Sequence, residues 1–72
     1  MTKEQLEKAF EGTNFGSKEY DKILREGLLK VACHYWNGHT LTQILIMLKL
    51  RTPKQNRLTD AGRKLLYKMY ER

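Results

Sequence analysis

The sequence predicts an all-α fold, a small domain of four helices in a single chain of 72 residues. Apolar residues recur at three- and four-residue intervals from Tyr20 to Leu50, which is the period of one face of an α-helix. No stretch shows the strict alternation of apolar and polar residues that is typical of a half-buried strand. Gly12, Asn37-Gly38 and Pro53 interrupt the pattern and divide residues 1–72 into four helical segments of one domain.

The first helix is expected from Lys3 to about Glu11. Thr2 is a suitable N-cap because its hydroxyl can accept a bond from an unpaired backbone N–H, and Gln5 completes the pattern of a capping box. Gly12 is expected to end the helix. In the linker that follows, Phe15 is expected to return to the core.

The second helix is expected from Ser17 to about Trp36. Its apolar arc is wide, which indicates a central helix packed on two sides. Gly27 is a small residue on that side and allows another helix to approach closely. Gly38 is expected to adopt the left-handed conformation that ends a helix. The arc consists of Tyr20, Ile23, Leu24, Leu28, Leu29, Val31, Ala32, Tyr35 and Trp36.

The third helix is expected from Leu41 to about Leu50, with Thr40 as its N-cap. Apolar residues cover nearly all of its sides, so it is expected either in the core or in a contact between two copies of the chain. A domain of this size covers such a helix with difficulty, which favours a homodimer.

The last twenty-two residues combine a basic loop, Arg51 to Leu58, with an amphipathic helix that follows the N-cap Thr59. Its apolar stripe is predicted to contain Gly62, Leu65, Leu66, Met69 and Tyr70. The other side is predicted to be polar and cationic, and we interpret the helix as a candidate recognition helix. That side carries Arg63, Lys64, Tyr67 and Lys68.

The positive charge is unevenly distributed. Residues 1–36 contain six basic and six acidic side chains, whereas residues 37–72 contain eight basic and two acidic ones. The whole net charge of +6 therefore belongs to the second half. This asymmetry predicts a polyanionic partner, with nucleic acid first and an acidic protein or membrane surface behind it.

Other classes of protein fit the sequence poorly. It has no apolar run long enough to span a membrane and no signal peptide, and its single cysteine fits a reducing compartment, so we expect a cytoplasmic protein. Cys33, His34 and His39 do not have the spacing of a zinc site, and Cys33 and His34 point about 100° apart on a helix. No catalytic motif is present, so neither a metal, a cofactor nor an enzyme activity is expected.

One series of positions in the second half follows a known order: Gly38, Thr40, Ile44, Leu48, Thr52-Pro53 and Thr59. Through these positions, residues 38–66 resemble the C-terminal helix-turn-helix of serine recombinases and small mobile-element or phage regulators. The resemblance implies that the last helix enters a DNA groove with Thr59, Asp60, Arg63, Lys64 and Tyr67, and that Arg51, Lys54, Gln55, Asn56 and Arg57 meet phosphates. Arg63 is the best base reader, because a guanidinium can bond a guanine edge in two places.

A second resemblance concerns residues 57–63, which are similar to the R-L-T-x-x-G-R segment that follows the wing in winged-helix regulators. It implies that the third helix reads DNA. That helix is poorly polar, with only Thr42, Gln43 and Lys49, so the last helix is the preferred reader.

Two functions are therefore predicted. The first is a small regulator or accessory factor that binds double-stranded DNA. The alternative is an interaction module or inhibitor that docks its basic face on an acidic protein. RNA binding is a third idea, but no RNA-recognition signature supports it.

Overall fold

The computed structural model describes residues 2–13 and 19–71, which form four α-helices. The prediction of an all-α domain is confirmed. Within the described residues, the single β pairing is an isolated antiparallel bridge between Arg51 and Leu58, and no helix has the length and apolar character needed to cross a bilayer. The helices are α1 (Lys3–Ala9), α2 (Tyr20–Ala32), α3 (His39–Met47) and α4 (Asp60–Tyr70).

Helix α1 begins as predicted. The Thr2 hydroxyl accepts a hydrogen bond from the Gln5 backbone, and the Gln5 side chain accepts one from the Thr2 backbone, which completes the capping box. The helix ends at Ala9, two residues before the predicted end. Gly12 lies in the turn that follows, with a φ of 78°. The predictions for Phe15 and for a helix start at Ser17 lie outside the described residues.

Helix α2 ends at Ala32, so its predicted extension to Trp36 is wrong. The chain leaves the helix through His34, which has a φ of 63°. The His34 N–H donates to the Val31 carbonyl and the Tyr35 N–H donates to the Lys30 carbonyl, the two bonds of a Schellman motif. Histidine tolerates this left-handed conformation better than most residues. Because no glycine stands at this position, the sequence did not indicate that the helix ends here.

The early end of α2 removes two aromatic residues from the predicted apolar arc. Tyr35 is 69% exposed and Trp36 is 75% exposed, so neither belongs to the core. Asn37 then turns the chain back along α2, because its side-chain N–H donates to the Gly27 carbonyl at 3.1 Å.

Helix α3 begins earlier than predicted. Its N-cap is Gly38 and not Thr40, and Thr40 lies exposed in the first turn. Gly38 has a φ of −62° and a ψ of 162°, so the predicted left-handed conformation is wrong. The left-handed conformation is found instead at Lys49, two residues after α3 ends at Met47.

Helix α2 lies at the centre of the domain and packs against α1, α3 and α4. The predicted close approach at Gly27 is present, because a Cβ atom there would lie 2.9 Å from Leu41 Cδ2. Phe10 and Tyr20 stack with ring centroids 4.6 Å apart. The largest fully buried side chains are Phe10, Leu24, Leu28, Leu45 and Val31.

Helix α3 buries Leu41, Ile44 and Leu45 within one chain, and Met47 is 60% exposed. Burial of its main stripe therefore does not require a second copy, and the homodimer remains a prediction.

Candidate nucleic-acid interface

Helix α4 has two clearly different sides. The cap at Thr59 places Gly62 in the core, with Leu65, Leu66 and Met69 half-buried behind it. The remaining positions face solvent, as the helical period requires. This outer face of α4 consists of Asp60, Arg63, Lys64, Tyr67 and Lys68, all of them exposed.

Gly62 determines how closely α4 packs on the rest of the domain. A Cβ atom at this position would lie 2.1 Å from the Leu50 carbonyl oxygen, so only glycine fits. The Thr59 N–H donates to the same carbonyl at 3.0 Å. The start of α4 is thus fixed directly against the end of α3.

Thr59 has a structural role that limits its predicted contact with a groove. Its hydroxyl accepts a bond from the Gly62 N–H at 3.0 Å and donates to the Lys49 carbonyl at 2.7 Å. Both bonds hold the cap of α4, so the hydroxyl positions the helix.

Arg63 does not extend freely from the outer face. Its guanidinium forms an ion pair with Asp60, three residues earlier, and also donates to the Leu58 carbonyl at 3.3 Å. Both side chains remain largely exposed. The Asp60 carboxylate therefore competes with a base or a phosphate for the guanidinium of Arg63.

Tyr70 was predicted in the apolar stripe, but it is 53% exposed. Its ring lies 5.4 Å from the Arg25 guanidinium carbon. This cation–π contact at the end of the helix joins α4 to α2.

Arg51 and Asn56 hold the loop before α4 together. Arg51 is only 7% exposed, and its guanidinium donates to the Asn56 side chain at 3.3 Å and to the Thr52 carbonyl at 2.9 Å. Asn56 donates in turn to the Tyr35 carbonyl at 3.0 Å. Both residues were expected to meet phosphates, but their polar side-chain groups form hydrogen bonds to other groups of the protein.

The tip of the loop presents its other side chains to solvent. Lys54, Gln55 and Arg57 are exposed, as predicted for residues that would meet a polyanion. The backbone beneath them is fixed, because the Thr52 N–H donates to the Arg57 carbonyl and the Thr52 hydroxyl donates to the Gln55 carbonyl. The loop therefore holds two cations on a defined support.

The sequence did not predict that the segment after α2 joins this region. The bond from Asn56 to the Tyr35 carbonyl places exposed Tyr35 and Trp36 next to the basic loop. No glycine marks the left-handed residue His34, so the apolar pattern continued through the true end of the helix.

Five exposed cations of the second half lie at the end of α3, in the loop and on α4. Within residues 2–13 and 19–71, Lys64 and Lys68 make no ion pair, and no three His, Cys, Asp or Glu side chains lie close enough to share a metal ion. The exposed cations outside the Asp60 pair are Lys49, Lys54, Arg57, Lys64 and Lys68.

No protein-family model, curated protein or solved structure matches the chain. The resemblances of residues 38–66 and 57–63 to DNA-binding domains therefore remain predictions.

Proposed function

We propose that the protein is a small DNA-binding regulator or accessory factor that binds duplex DNA with the outer face of α4 and the tip of the basic loop. The observation that carries the proposal is the separation of the two sides of α4, from which only Tyr70 at the end of the helix departs. Its inner side packs on the core, and its outer side exposes Lys64, Tyr67 and Lys68. Binding through that side leaves the fold unchanged.

The dimensions of α4 suit this role. Its eleven residues make a helix about 16 Å long and about 10–12 Å wide with its side chains. A major groove about 12 Å wide admits such a helix. Lys64 and Lys68 are four residues apart on one side, so they can approach successive phosphates together.

Arg63 and Asp60 give the proposal a specific consequence. The Asp60 carboxylate occupies the guanidinium of Arg63 and also repels phosphates. Asp60→Asn should therefore strengthen binding to duplex DNA. Arg63→Gln should cost about 1–3 kcal/mol on a preferred site if the released guanidinium reads a guanine edge.

The decisive experiment compares two double variants with the same loss of charge. Lys64→Gln with Lys68→Gln changes the outer face of α4, and Lys8→Gln with Lys30→Gln changes exposed lysines of α1 and α2. Binding to labelled duplex DNA is measured over a range of salt concentrations. The α4 variant should lose affinity and lower the log–log salt slope by about 2, because each neutralised phosphate contributes about 0.9.

Equal losses in both double variants would mean that total charge, and not α4, attracts the DNA. No loss in either, together with weaker binding of an acidic protein by the α4 variant, would favour the interaction module. Thermal melting of each variant controls for folding.

A second candidate is a winged-helix arrangement in which α3 reads the DNA. It is favoured by the Arg51–Leu58 bridge, which precedes α4 where a wing would lie. It is also favoured by Gly62, the glycine of the R-L-T-x-x-G-R segment, which lies against the Leu50 carbonyl. In that arrangement Gln43, exposed on α3, contacts bases. Gln43→Ala should then reduce sequence discrimination, whereas the Lys64 and Lys68 variant should bind as the unmodified protein does.

A further inference from the structure

Trp36 is the most exposed of the large hydrophobic residues in the described part of the chain, at 75%. Tryptophan is strongly buried on average in folded proteins. The adjacent Tyr35 is 69% exposed, so two aromatic rings stand in solvent within one short segment. Neither ring has a stacking partner among the described residues.

This aromatic segment is held firmly at both ends. The Tyr35 N–H donates to the Lys30 carbonyl at 2.7 Å, and Asn37 donates to the Gly27 carbonyl at 3.1 Å. Trp36 lies between these two attachments. The exposure of its ring is therefore a property of an ordered backbone that is tied to α2 on either side.

The aromatic segment also adjoins the basic loop. The Asn56 side chain donates to the Tyr35 carbonyl at 3.0 Å, and Arg57 and Lys54 lie one and two residues from Asn56. Consecutive Cα atoms are about 3.8 Å apart, so both cations start within two residue lengths of the point of attachment. Exposed aromatic rings and exposed cations therefore lie on two segments that this hydrogen bond joins, and we treat the two segments as one surface.

We propose that this surface binds unpaired nucleotides, with bases stacked on Trp36 and Tyr35 and phosphates neutralised by Lys54 and Arg57. A single-stranded nucleic acid offers bases that stack on aromatic rings and phosphates that bind cations, so it matches this surface in both respects. Stacking of this kind does not require a particular base sequence. The proposal rests on the proposed function, because the loop serves both. It narrows the target to DNA that contains an unpaired stretch next to a duplex.

The charge of the neighbourhood favours a nucleic acid over an apolar protein surface as the occupant. No acidic side chain lies between Arg51 and Thr59, whereas Lys54 and Arg57 are exposed there. An apolar partner would leave these cations unpaired at the edge of the contact, while a nucleic acid supplies a phosphate with every base.

Trp36 is the single tryptophan of the chain, so its fluorescence reports on this site alone. The test titrates the full chain with three probes: a blunt duplex, the same duplex with a single-stranded oligothymidine tail, and heparin. The tailed duplex should quench the emission and bind about 5- to 150-fold more tightly than the blunt one, as expected for one stacked base. Heparin carries charge without bases and should leave the emission unquenched.

Variants of the aromatic residues complete the test. Because these variants lack the tryptophan, their affinities are measured with labelled DNA. Trp36→Leu, or Trp36→Leu with Tyr35→Leu, should abolish the advantage of the tail, and Trp36→Phe should retain part of it. All three should keep the affinity for the blunt duplex, which depends on α4. An undiminished tail advantage in the double leucine variant, or equal quenching by heparin, would overturn the inference.

Two further outcomes separate the proposals from each other. If the Lys64 and Lys68 variant keeps its affinity for the blunt duplex while Trp36→Leu loses the tail advantage, the α4 proposal fails and the stacking site stands. If the Trp36 emission shifts with protein concentration alone, and sedimentation shows a dimer that Trp36→Leu converts to a monomer, a second copy of the chain occupies the surface and the stacking site is wrong.

Discussion

Replacing Gly62 by alanine should destabilise the domain, although alanine is the better helix former. The new Cβ atom would lie 2.1 Å from the Leu50 carbonyl oxygen and 3.3 Å from Leu58 Cδ2. Even a close C–H···O contact keeps carbon and oxygen about 3.3 Å apart, so the start of α4 must move outward by about 1 Å. The obstacle is backbone and not the end of a flexible side chain.

The magnitude follows from three contributions. Overpacking against a well-packed site costs about 1–3 kcal/mol. The shift also weakens the cap at Thr59, which contributes about 1 kcal/mol. Alanine returns about 1 kcal/mol through its helix propensity. We expect a net loss of about 1–3 kcal/mol, which lowers the Tm of a domain of this size by about 5–20 °C.

Thermal unfolding followed by circular dichroism measures this loss, and Gly38→Ala is the matched control. Gly38 has a φ of −62° and no atom lies within 4 Å of the position of a Cβ there. In the Gly38→Ala variant, alanine caps the helix less well than glycine, but it also makes the unfolded chain stiffer. These two effects offset each other, so the free energy of unfolding should change by no more than about 0.5 kcal/mol. A Gly62→Ala protein that melts at or above the temperature of the unmodified chain would refute the packing of α4 on Leu50.

Three other predictions concern the fold that supports the interface. Leu45→Ala should cost about 2–5 kcal/mol in a chemical denaturation experiment, because the side chain is fully buried; an unchanged midpoint would place α3 outside the core. Lys49→Gly should stabilise the domain by about 0.5–1 kcal/mol, because the residue has a φ of 62° and a left-handed conformation costs about 1–2 kcal/mol without glycine; a lower Tm would contradict this. Arg51→Lys should cost about 1–3 kcal/mol, because one ammonium group cannot reproduce the bonds to Asn56 and Thr52, whereas Lys54→Gln should leave the Tm unchanged; equal melting of the two variants would assign Arg51 to the surface.

The sequence predicted most of the helices because their signals are local. The capping box at Thr2 and the cap at Thr59 are formed by residues within three positions, and both are present. The apolar periodicity of α4 likewise separates its inner side from its outer side, apart from Tyr70 at the end. These features depend only on residues a few positions apart in the chain, so they can be predicted from a single sequence.

The ends of α2 and α3 could not be predicted, because they depend on left-handed residues that are not glycine. His34 and Lys49 adopt this conformation, and each is followed by the backbone bond of a Schellman motif. The glycine that was expected to mark the first of these ends, Gly38, caps α3 instead. Exposure of Trp36 follows from that difference.

Within the candidate interface, the exposure of most cations could be predicted from the sequence, but the state of each side chain could not. Lys54, Arg57, Lys64 and Lys68 are exposed as expected. Arg51 has the same charge, but the folding of the loop buries it against Asn56 and Thr52, and this contact depends on tertiary structure.

Binding of DNA by α4 and the basic loop is tested most directly by a titration of isotope-labelled protein with duplex DNA, followed through the backbone amide signals. We expect the largest shifts along α4 from Arg63 to Lys68 and in the loop around Lys54, and little change in α1. Shifts concentrated on α3 around Gln43, with α4 unaffected, would contradict this expectation and favour the winged-helix arrangement.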